Sequence, residues 1–361
     1  MADHKKDKLS ALSNKAGVQQ EEFVNKSLLQ SIKLKRRERP SSETLISQIK
    51  KGSITALSQA ITLVESSNIK HQKKANAVIQ GCLPYTNQSI RIGITGVPGV
   101  GKSTFIEALG EHLTKIGKKV AVLAIDPSSS ISKGSILGDK TRMEALVTNP
   151  LAYIRPSASG DTLGGVARKT RESIVLCEAA GFEIIIIETV GVGQSETAVH
   201  SMVDFFLLLK LAGAGDELQG IKRGIIEMAD AIVINKADGN NMKAAKLAKV
   251  EFNRALHLYP KKPSSWQPKV LLASALKKQG IEAIWHLVEA YINTIKPNGY
   301  FKQNRIEQNK YWLIQTIDAK LKSNFYANEK MKEALKLALQ QLEKGKVSPF
   351  SAAEDLLAIY K

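Results

Sequence analysis

The feature that most limits the fold of this 361-residue chain is a series of six short apolar runs between residues 90 and 295. Each run is followed by a turn of Gly, Pro or Asp and then by an amphipathic stretch. Strands that are apolar along their whole length are buried on both faces, as in a parallel sheet covered by helices. The sequence therefore predicts an α/β fold with a mostly parallel sheet flanked by helices. The runs read RIGIT, KVAVLAID, EIIIIE, VDFFLLL, AIVIN and KVLLAS.

Helical patterns on both sides of these runs predict N-terminal and C-terminal extensions. Residues 1–40 are rich in Lys and Arg, and we expect a loosely held basic arm there. Residues 41–89 place Leu and Ile at helical spacing and predict a helical subdomain ahead of the sheet domain at 90–296. Residues 297–361 contain two helical patterns that lack a core of their own. Such a segment must pack on the sheet domain or on another subunit, and we favour another subunit.

Composition limits the compartment and the partners. The apolar runs all fall short of the ~20 residues that span a bilayer, and the first residues lack the apolar region of a secretory signal. Cys82 and Cys177 stand far apart, as is typical of a reduced cytosol. We therefore expect a cytoplasmic protein without a membrane segment. The net charge of +18 would suit nucleic acid, but no recognisable nucleic-acid module accompanies it, so we interpret it as solvated helix surface.

The strongest chemical motif is GVPGVGKST at residues 96–104, which matches G-x-x-x-x-G-K-[ST] directly after RIGIT and directly before an amphipathic stretch. In such a loop the glycines let backbone N–H groups converge on phosphate oxygens. Lys102 would place its charge on the terminal phosphates, and the Ser103 hydroxyl would bind Mg²⁺. The motif predicts a P-loop NTPase. The predicted nucleotide contacts here are Gly96, Val97, Pro98, Gly99, Val100, Gly101, Lys102, Ser103 and Thr104.

A second motif indicates which base is bound. Residues 235–238 read N-K-A-D at the end of the run AIVIN. The Asp238 carboxylate could accept both the ring N–H and the amine of guanine, a donor pair that adenine lacks. Lys236 would lie along the base, and Asn235 would tie this loop to the P-loop. After the next run, Ser274, Ala275 and Leu276 form a small loop in which Ala275 is the expected N–H donor to the guanine O6.

Acidic residues follow two of the runs and predict the metal site. Asp126 ends KVAVLAID, Asp139 lies in the loop after it, and Glu188 ends EIIIIE. The carboxyl ends of parallel strands face the ligand crevice. With Ser103, these oxygens would hold Mg²⁺ directly or through water. Alternatively, Asp126 and Glu188 do not bind a metal and instead cap helices or form turns.

Taken together, six segments resemble the methylmalonyl-CoA mutase-associated GTPases, the MeaB/ArgK family of metallochaperone-type P-loop GTPases, from about residue 41 to residue 297. The segments are GVPGVGKST, AIDPSSSISKGSILGDKTRM, SGDTLGGVARKTRE, ETVGVGQSE, AGAGDELQGIKRGI and NKADG. The resemblance implies a GTP-hydrolysing chaperone that gates cofactor loading of an adenosylcobalamin-dependent acyl-CoA mutase and protects or reactivates it. It also implies a homodimer formed through the C-terminal helices.

The resemblance further implies that hydrolysis depends on a partner. Residues 213–224 match a switch loop of the family, with Gln219 and Lys222 at its functional positions. The glutamine that often follows D-x-x-G immediately is absent, and Gln194 lies three residues beyond Gly191. We expect slow intrinsic hydrolysis that the mutase accelerates. The predicted catalytic residues are Lys102, Glu188, Gln219 and Lys222, and those that hold Mg²⁺ with GTP or GDP are Ser103, Asp126, Asp139 and Glu188.

Other functions fit the motifs less well. A nickel-insertion GTPase needs a His-rich or Cys-rich metal site, whereas the six histidines are scattered. A P-loop kinase or transport ATPase, as in the older ArgK naming, would bind adenine, against which N-K-A-D argues. The chain also lacks the D-x-H-x-x-G cobalamin motif. Cobalamin chemistry therefore belongs to the expected partner.

Overall fold

The strands all belong to one sheet. The computed structural model describes residues 40–125, 143–156, 163–189, 195–213 and 223–360. Within them the strands are β1 Ile90–Gly96, β2 Val120–Ile125, β3 Ala152–Arg155, β4 Ile184–Thr189, β5 Phe205–Leu211, β6 Ala231–Asn235 and β7 Lys269–Leu272. They follow the order β3-β2-β4-β1-β5-β6-β7, and each neighbouring pair is parallel. The predicted α/β class is confirmed.

The sheet is buried because its strands are apolar throughout. Every residue of β2, β4 and β6 is buried. β1 lies between β4 and β5, so the loop that follows β1 leaves from the centre of the sheet. In parallel sheets this carboxyl edge is where ligands bind.

Strand β3 has no counterpart among the six predicted runs. It is four residues long, ends at Arg155 before Pro156, and buries only Tyr153. Among the described strands it pairs only with β2, at one edge of the sheet. An edge strand of this length carries too few apolar residues for the pattern to reveal it.

Helices connect and flank the strands. The segment before the sheet forms α1 Ser42–Lys50, α2 Ile54–Glu65 and α3 Ile69–Cys82. Between the strands lie α4 Lys102–Lys115, α5 Glu144–Val147, α6 Leu163–Ala179, α7 Ser195–His200, α8 Arg223–Met228 and α9 Met242–Leu256. After β7 come α10 Ile281–Ile295, α11 Tyr300–Ala327, α12 Glu329–Glu343 and α13 Pro349–Tyr360. None of these helices is long and apolar enough to cross a bilayer.

The helices before the sheet share its core. Helix α2 begins after Ser53, whose Oγ accepts a hydrogen bond from the Ala56 N–H at 3.3 Å, a typical N-cap. Its buried residues, among them Leu57, Ile61 and Val64, recur at helical spacing and belong to the same hydrophobic cluster as the strands. Helices α2 and α3 both contact α6.

The first half of α11 packs on the sheet domain, and the expectation that another subunit covers the C-terminal segment stays a prediction for its remaining part. Arg305, Gln308 and Trp312, on one face of the first half of α11, are buried. Gln308 Nε2 donates to the Val203 carbonyl at 2.7 Å, and Trp312 Nε1 donates to the Ser201 carbonyl at 3.1 Å. The two predicted helices correspond to α11 and α12, whereas α13 was not predicted. The rest of α11, with α12 and α13, is called the arm below.

Candidate functional site

The loop between β1 and α4 requires glycine at two closely packed positions. Gly101 has φ +91°, and a Cβ there would lie 2.9 Å from Asn235 Nδ2. A Cβ on Gly96 would lie 2.7 Å from the Leu209 carbonyl oxygen of β5. Helix α4 then begins at Lys102, so its free N–H groups face the loop. This geometry is that of an anion site at a helix N-terminus.

Lys102 lies inside this loop. Its Nζ donates to the carbonyls of Gly96 at 2.8 Å and Val97 at 3.3 Å. Burial lowers the pKa of Lys102, while the carboxylates of Glu188 and Glu196 oppose that shift. The ammonium is held by backbone oxygens that an arriving phosphate can replace, which suits it to a phosphate-binding function.

Ser103 and Glu188 meet at the carboxyl edge of the sheet. Glu188 pairs in register with Ile94 of β1 and Ala124 of β2, and it is buried. The Ser103 hydroxyl donates to Glu188 Oε1 at 3.2 Å. A hydroxyl and a carboxylate beside a phosphate loop fit Mg²⁺, which takes few protein oxygens and completes its shell with phosphates and water. The other predicted ligands, Asp126 and Asp139, lie outside the described residues.

Asn235 connects the N-K-A-D loop to the phosphate loop. Its Nδ2 donates to the Val100 carbonyl at 2.8 Å, and its Oδ1 accepts from the Ala275 N–H at 3.2 Å. One buried amide therefore joins three loops. The Ala275 N–H, expected to donate to guanine, instead bonds Asn235 in the structure. The neighbouring Leu276 N–H is the next candidate in that loop for a donor to the guanine O6.

Asp238 and Lys236 occupy the outer part of the same site. The Ser274 hydroxyl donates to Asp238 Oδ2, which orients that carboxylate. Lys236, with φ +56°, donates from Nζ to the Gly99 carbonyl at 2.9 Å, so its stem crosses toward the phosphate loop. The Leu276 side chain is 81% exposed beside this loop. A planar base would find a carboxylate at its edge and apolar stems to cover its faces.

Sequence reasoning missed Glu196. This residue is buried in the first turn of α7, and its charge acts on Lys102. The available signal was that Glu196 is the last residue of the ETVGVGQSE segment and lies in the first turn of a helix, where the helix dipole favours an acid. Of the remaining predicted residues, Thr104 lies in α4, whereas Gln194, Gln219 and Lys222 lie outside the described residues.

Comparisons with known proteins find GTPases among the proteins similar to this chain. The chain is 47% identical over 315 residues to a probable GTPase of Mycobacterium tuberculosis, covering 87% of this chain and 94% of that protein. It is 44% identical over 311 residues to the GTPase ArgK of Escherichia coli, covering 86% and 94%. The mouse methylmalonic aciduria type A homolog, described as mitochondrial, is 43% identical over 329 residues, covering 88% of this chain and 79% of that protein.

A solved structure shares the fold as well. The crystal structure of an LAO/AO transport system kinase matches with a TM-score of 0.70 and 37% identity, covering 88% of this chain and 97% of that one. The model of the family described as methylmalonyl Co-A mutase-associated GTPase MeaB matches residues 57–330, which include the phosphate loop, the N-K-A-D loop and the first half of α11. The chain therefore belongs to the methylmalonyl-CoA mutase-associated GTPase MeaB family and is a P-loop enzyme that acts on GTP.

Proposed function

We propose that this GTPase is a chaperone of an adenosylcobalamin-dependent acyl-CoA mutase, that it gates cofactor loading, and that it protects or reactivates the mutase. The observation that carries the proposal is the junction at Asn235, which joins the phosphate and base loops, in a chain that matches the MeaB family. The family description names association with methylmalonyl-CoA mutase, and the mouse relative is named for methylmalonic aciduria.

The described residues supply most of the parts that GTP binding needs. Asp238 and Ser274 would select the base, and the amides before and within the first turn of α4 would bind the phosphates. Lys102 would exchange its backbone partners for the terminal phosphates, and Ser103 and Glu188 would hold Mg²⁺. When bound, Mg²⁺ would neutralise part of the negative charge on the phosphates. Asp126 and Asp139 complete the proposed metal site.

Control of hydrolysis is assigned to the loops that follow β4 and β5. Helices α7 and α8 begin at the ends of the two loops that carry Gln194 and Gln219 with Lys222. A mutase that reshapes the second loop would bring Gln219 and Lys222 to the phosphates and accelerate hydrolysis. We also propose that the protein acts as a cytoplasmic homodimer through its arm.

The test is GTP turnover with and without the partner. We expect addition of an adenosylcobalamin-dependent methylmalonyl-CoA mutase to raise kcat by up to about 10³-fold, because partner-ordered positive charge has effects of this order in GTPases. A Lys102→Ala variant assayed in parallel corrects for contaminating hydrolysis. Equal kcat with and without the mutase would contradict the proposed chaperone function but would leave the GTPase assignment intact.

A further inference from the structure

Five charged side chains form a cluster at the ends of the strands opposite the phosphate loop, and all of them except the partly exposed Arg171 are buried. They are Arg91 of β1, Arg171 and Glu178 of α6, Asp204 before β5 and Arg305 of α11. Arg91 lies five residues before Gly96, about 16 Å along the same strand. We call this group the junction cluster, because it lies where α11 leaves the sheet domain.

Glu178 is fully occupied by its neighbours. It receives bonds from Arg91 Nε at 3.1 Å and from Arg91 Nη2 at 2.9 and 3.0 Å. The Ser89 hydroxyl donates to it at 2.5 Å, and the Asn87 N–H donates at 3.0 Å. One guanidinium thus takes both oxygens of this carboxylate in the bidentate arrangement that binds strongly.

Asp204 is occupied in the same way by a second arginine. Arg305 donates from Nε at 2.9 Å and from Nη2 at 2.7 Å, and the Arg91 N–H adds a bond of 2.9 Å. Each carboxylate in the cluster therefore has its own arginine. Arg171 is the third guanidinium, and its Nη2 donates to a neutral partner, Asn309 Oδ1, at 2.7 Å.

The junction cluster therefore carries one positive charge more than its acids neutralise. Three guanidiniums and two carboxylates interact with one another there. Burial and repulsion from Arg91 and Arg305 lower the pKa of Arg171 to about 9, although the carboxylates in the cluster act to raise it. Arginine keeps its proton in proteins, so the excess charge persists and destabilises the cluster unless another group balances it.

Hydrogen-bond donors mark where that group would bind. The Nη1 atoms of Arg91, Arg171 and Arg305 are buried and have no hydrogen-bond acceptor within the described part of the chain. Arg91 and Arg305 are 1% and 4% exposed. Arg305 Nη1 lies 3.8 Å from Glu178 Oε1, the oxygen that Arg91 also contacts. Arg91, Arg171 and Arg305 also repel one another electrostatically, so the three guanidiniums are close neighbours.

Helix periodicity brings Arg171 to that interface. Arg171 lies two turns before Glu178 on one face of α6, and Asn309 lies one turn after Arg305 on α11. The pairs Arg171–Asn309 and Glu178–Arg305 thus bridge the same two helices. An occupant between them would need to accept several N–H bonds and carry one negative charge.

We propose that the junction cluster binds a single monovalent anion of chloride size between α6 and α11. The anion accepts hydrogen bonds from the Nη1 atoms of Arg91, Arg171 and Arg305 and neutralises the excess charge. A phosphate or another polyanion does not fit, because the two nearby carboxylates would repel its additional charge. By completing the cluster, the anion fixes the first half of α11, and with it the arm, on the sheet domain.

Bromide diffraction on the whole protein tests the location. Crystals of the wild-type protein grown in sodium bromide are expected to show an anomalous peak within about 3.5 Å of the three Nη1 atoms. A water molecule at that position, with no anomalous signal, would overturn the proposal, because a buried water can also satisfy such donors.

Thermal unfolding tests the energetics. At constant ionic strength, replacement of gluconate by chloride should raise the wild-type Tm by about 3 °C once chloride reaches ~10 times its Kd. Arg171→Met removes the excess charge and should abolish this rise. Lys310→Met removes a charge from an exposed pair on the same helix and should retain it. An equal chloride response in wild type and Arg171→Met would overturn the proposal.

Discussion

At the scale of single residues, Asp238 connects the sequence motif most directly with ligand choice. Its carboxylate receives the Ser274 hydroxyl, so its position is set by a loop that follows a different strand. An oriented carboxylate can accept two N–H groups from guanine at once. In the proposed site, base selection would rest on this one side chain, and a neighbour 36 residues away sets its position.

We expect Asp238→Asn to weaken GTP binding by about 10- to 100-fold, because it removes charge-assisted hydrogen bonds. The amide can donate where the carboxylate could only accept, so xanthosine triphosphate should bind the variant better than GTP does. Competition binding of the two nucleotides measures this exchange. The control is Asp318→Asn, an exposed change on α11, which should leave base preference unchanged. If Asp238→Asn also left base preference unchanged, the guanine assignment would be wrong.

Glu188 shows how a residue can depart from the usual pattern and keep its position. Its side chain is one methylene longer than the Asp that often stands after this strand. The carboxylate still reaches the Ser103 hydroxyl at 3.2 Å from a buried position in β4. The sequence predicted a metal ligand here, and this stays a prediction that the pairing with Ser103 supports.

At the scale of elements, the site depends on close contact between loops that follow different strands. The phosphate loop after β1 and the N-K-A-D loop after β6 meet at Asn235 and also at Lys236, which bonds the Gly99 carbonyl. Gly101 allows this contact, because a side chain there would meet Asn235 Nδ2. In the proposed site, these contacts would link base binding to phosphate binding.

Gly101→Ala should disrupt this connection. We expect a loss of about 1 kcal/mol for the left-handed backbone, and a further loss from displacement of Asn235. GTP affinity should fall at least about 10-fold. The matched control is Gly117→Ala, which has φ +80° and open space around its Cβ. Urea unfolding and nucleotide titration of both variants measure the difference, and equal GTP affinity in the two would contradict the expectation.

The elements themselves were predictable to differing degrees. The strands that the six runs predicted all appear in the sheet, because a buried strand must be apolar along its length. Strand β3 was not predicted, because a strand at the edge of the sheet needs few buried residues, and here only Tyr153 is buried. In the site, the Ala275 N–H was assigned to guanine from its loop alone. Its bond to Asn235 depends on how two loops approach each other.

At the scale of the whole molecule, the arm presents a large apolar surface. Helices α11, α12 and α13 line an open groove of about 580 Å³. Its lining includes Leu321, Phe325, Leu339 and Leu356, and several apolar side chains of the arm are more than half exposed. Exposed apolar patches of this kind mark interaction sites. This surface supports the proposed homodimer.

We expect Leu339→Asp to shift the protein from dimer to monomer in sedimentation velocity, because a buried unpaired charge opposes association by several kcal/mol. Leu339 is 51% exposed. Leu247→Asp, on α9 outside the arm, replaces a leucine that is 62% exposed and should leave the sedimentation coefficient unchanged. A dimer that persists in Leu339→Asp would exclude the arm as the interface.

The sequence by itself determined the fold class, the phosphate loop and the base motif, because these depend on local periodicity and on residues adjacent in the chain. Only the tertiary structure decided how the loops join and where α11 packs. Asn235 and Val100 are 135 residues apart, and Arg305 and Asp204 are 101 apart. No local pattern encodes such pairs, because they form only when the sheet order and helix packing bring distant segments together.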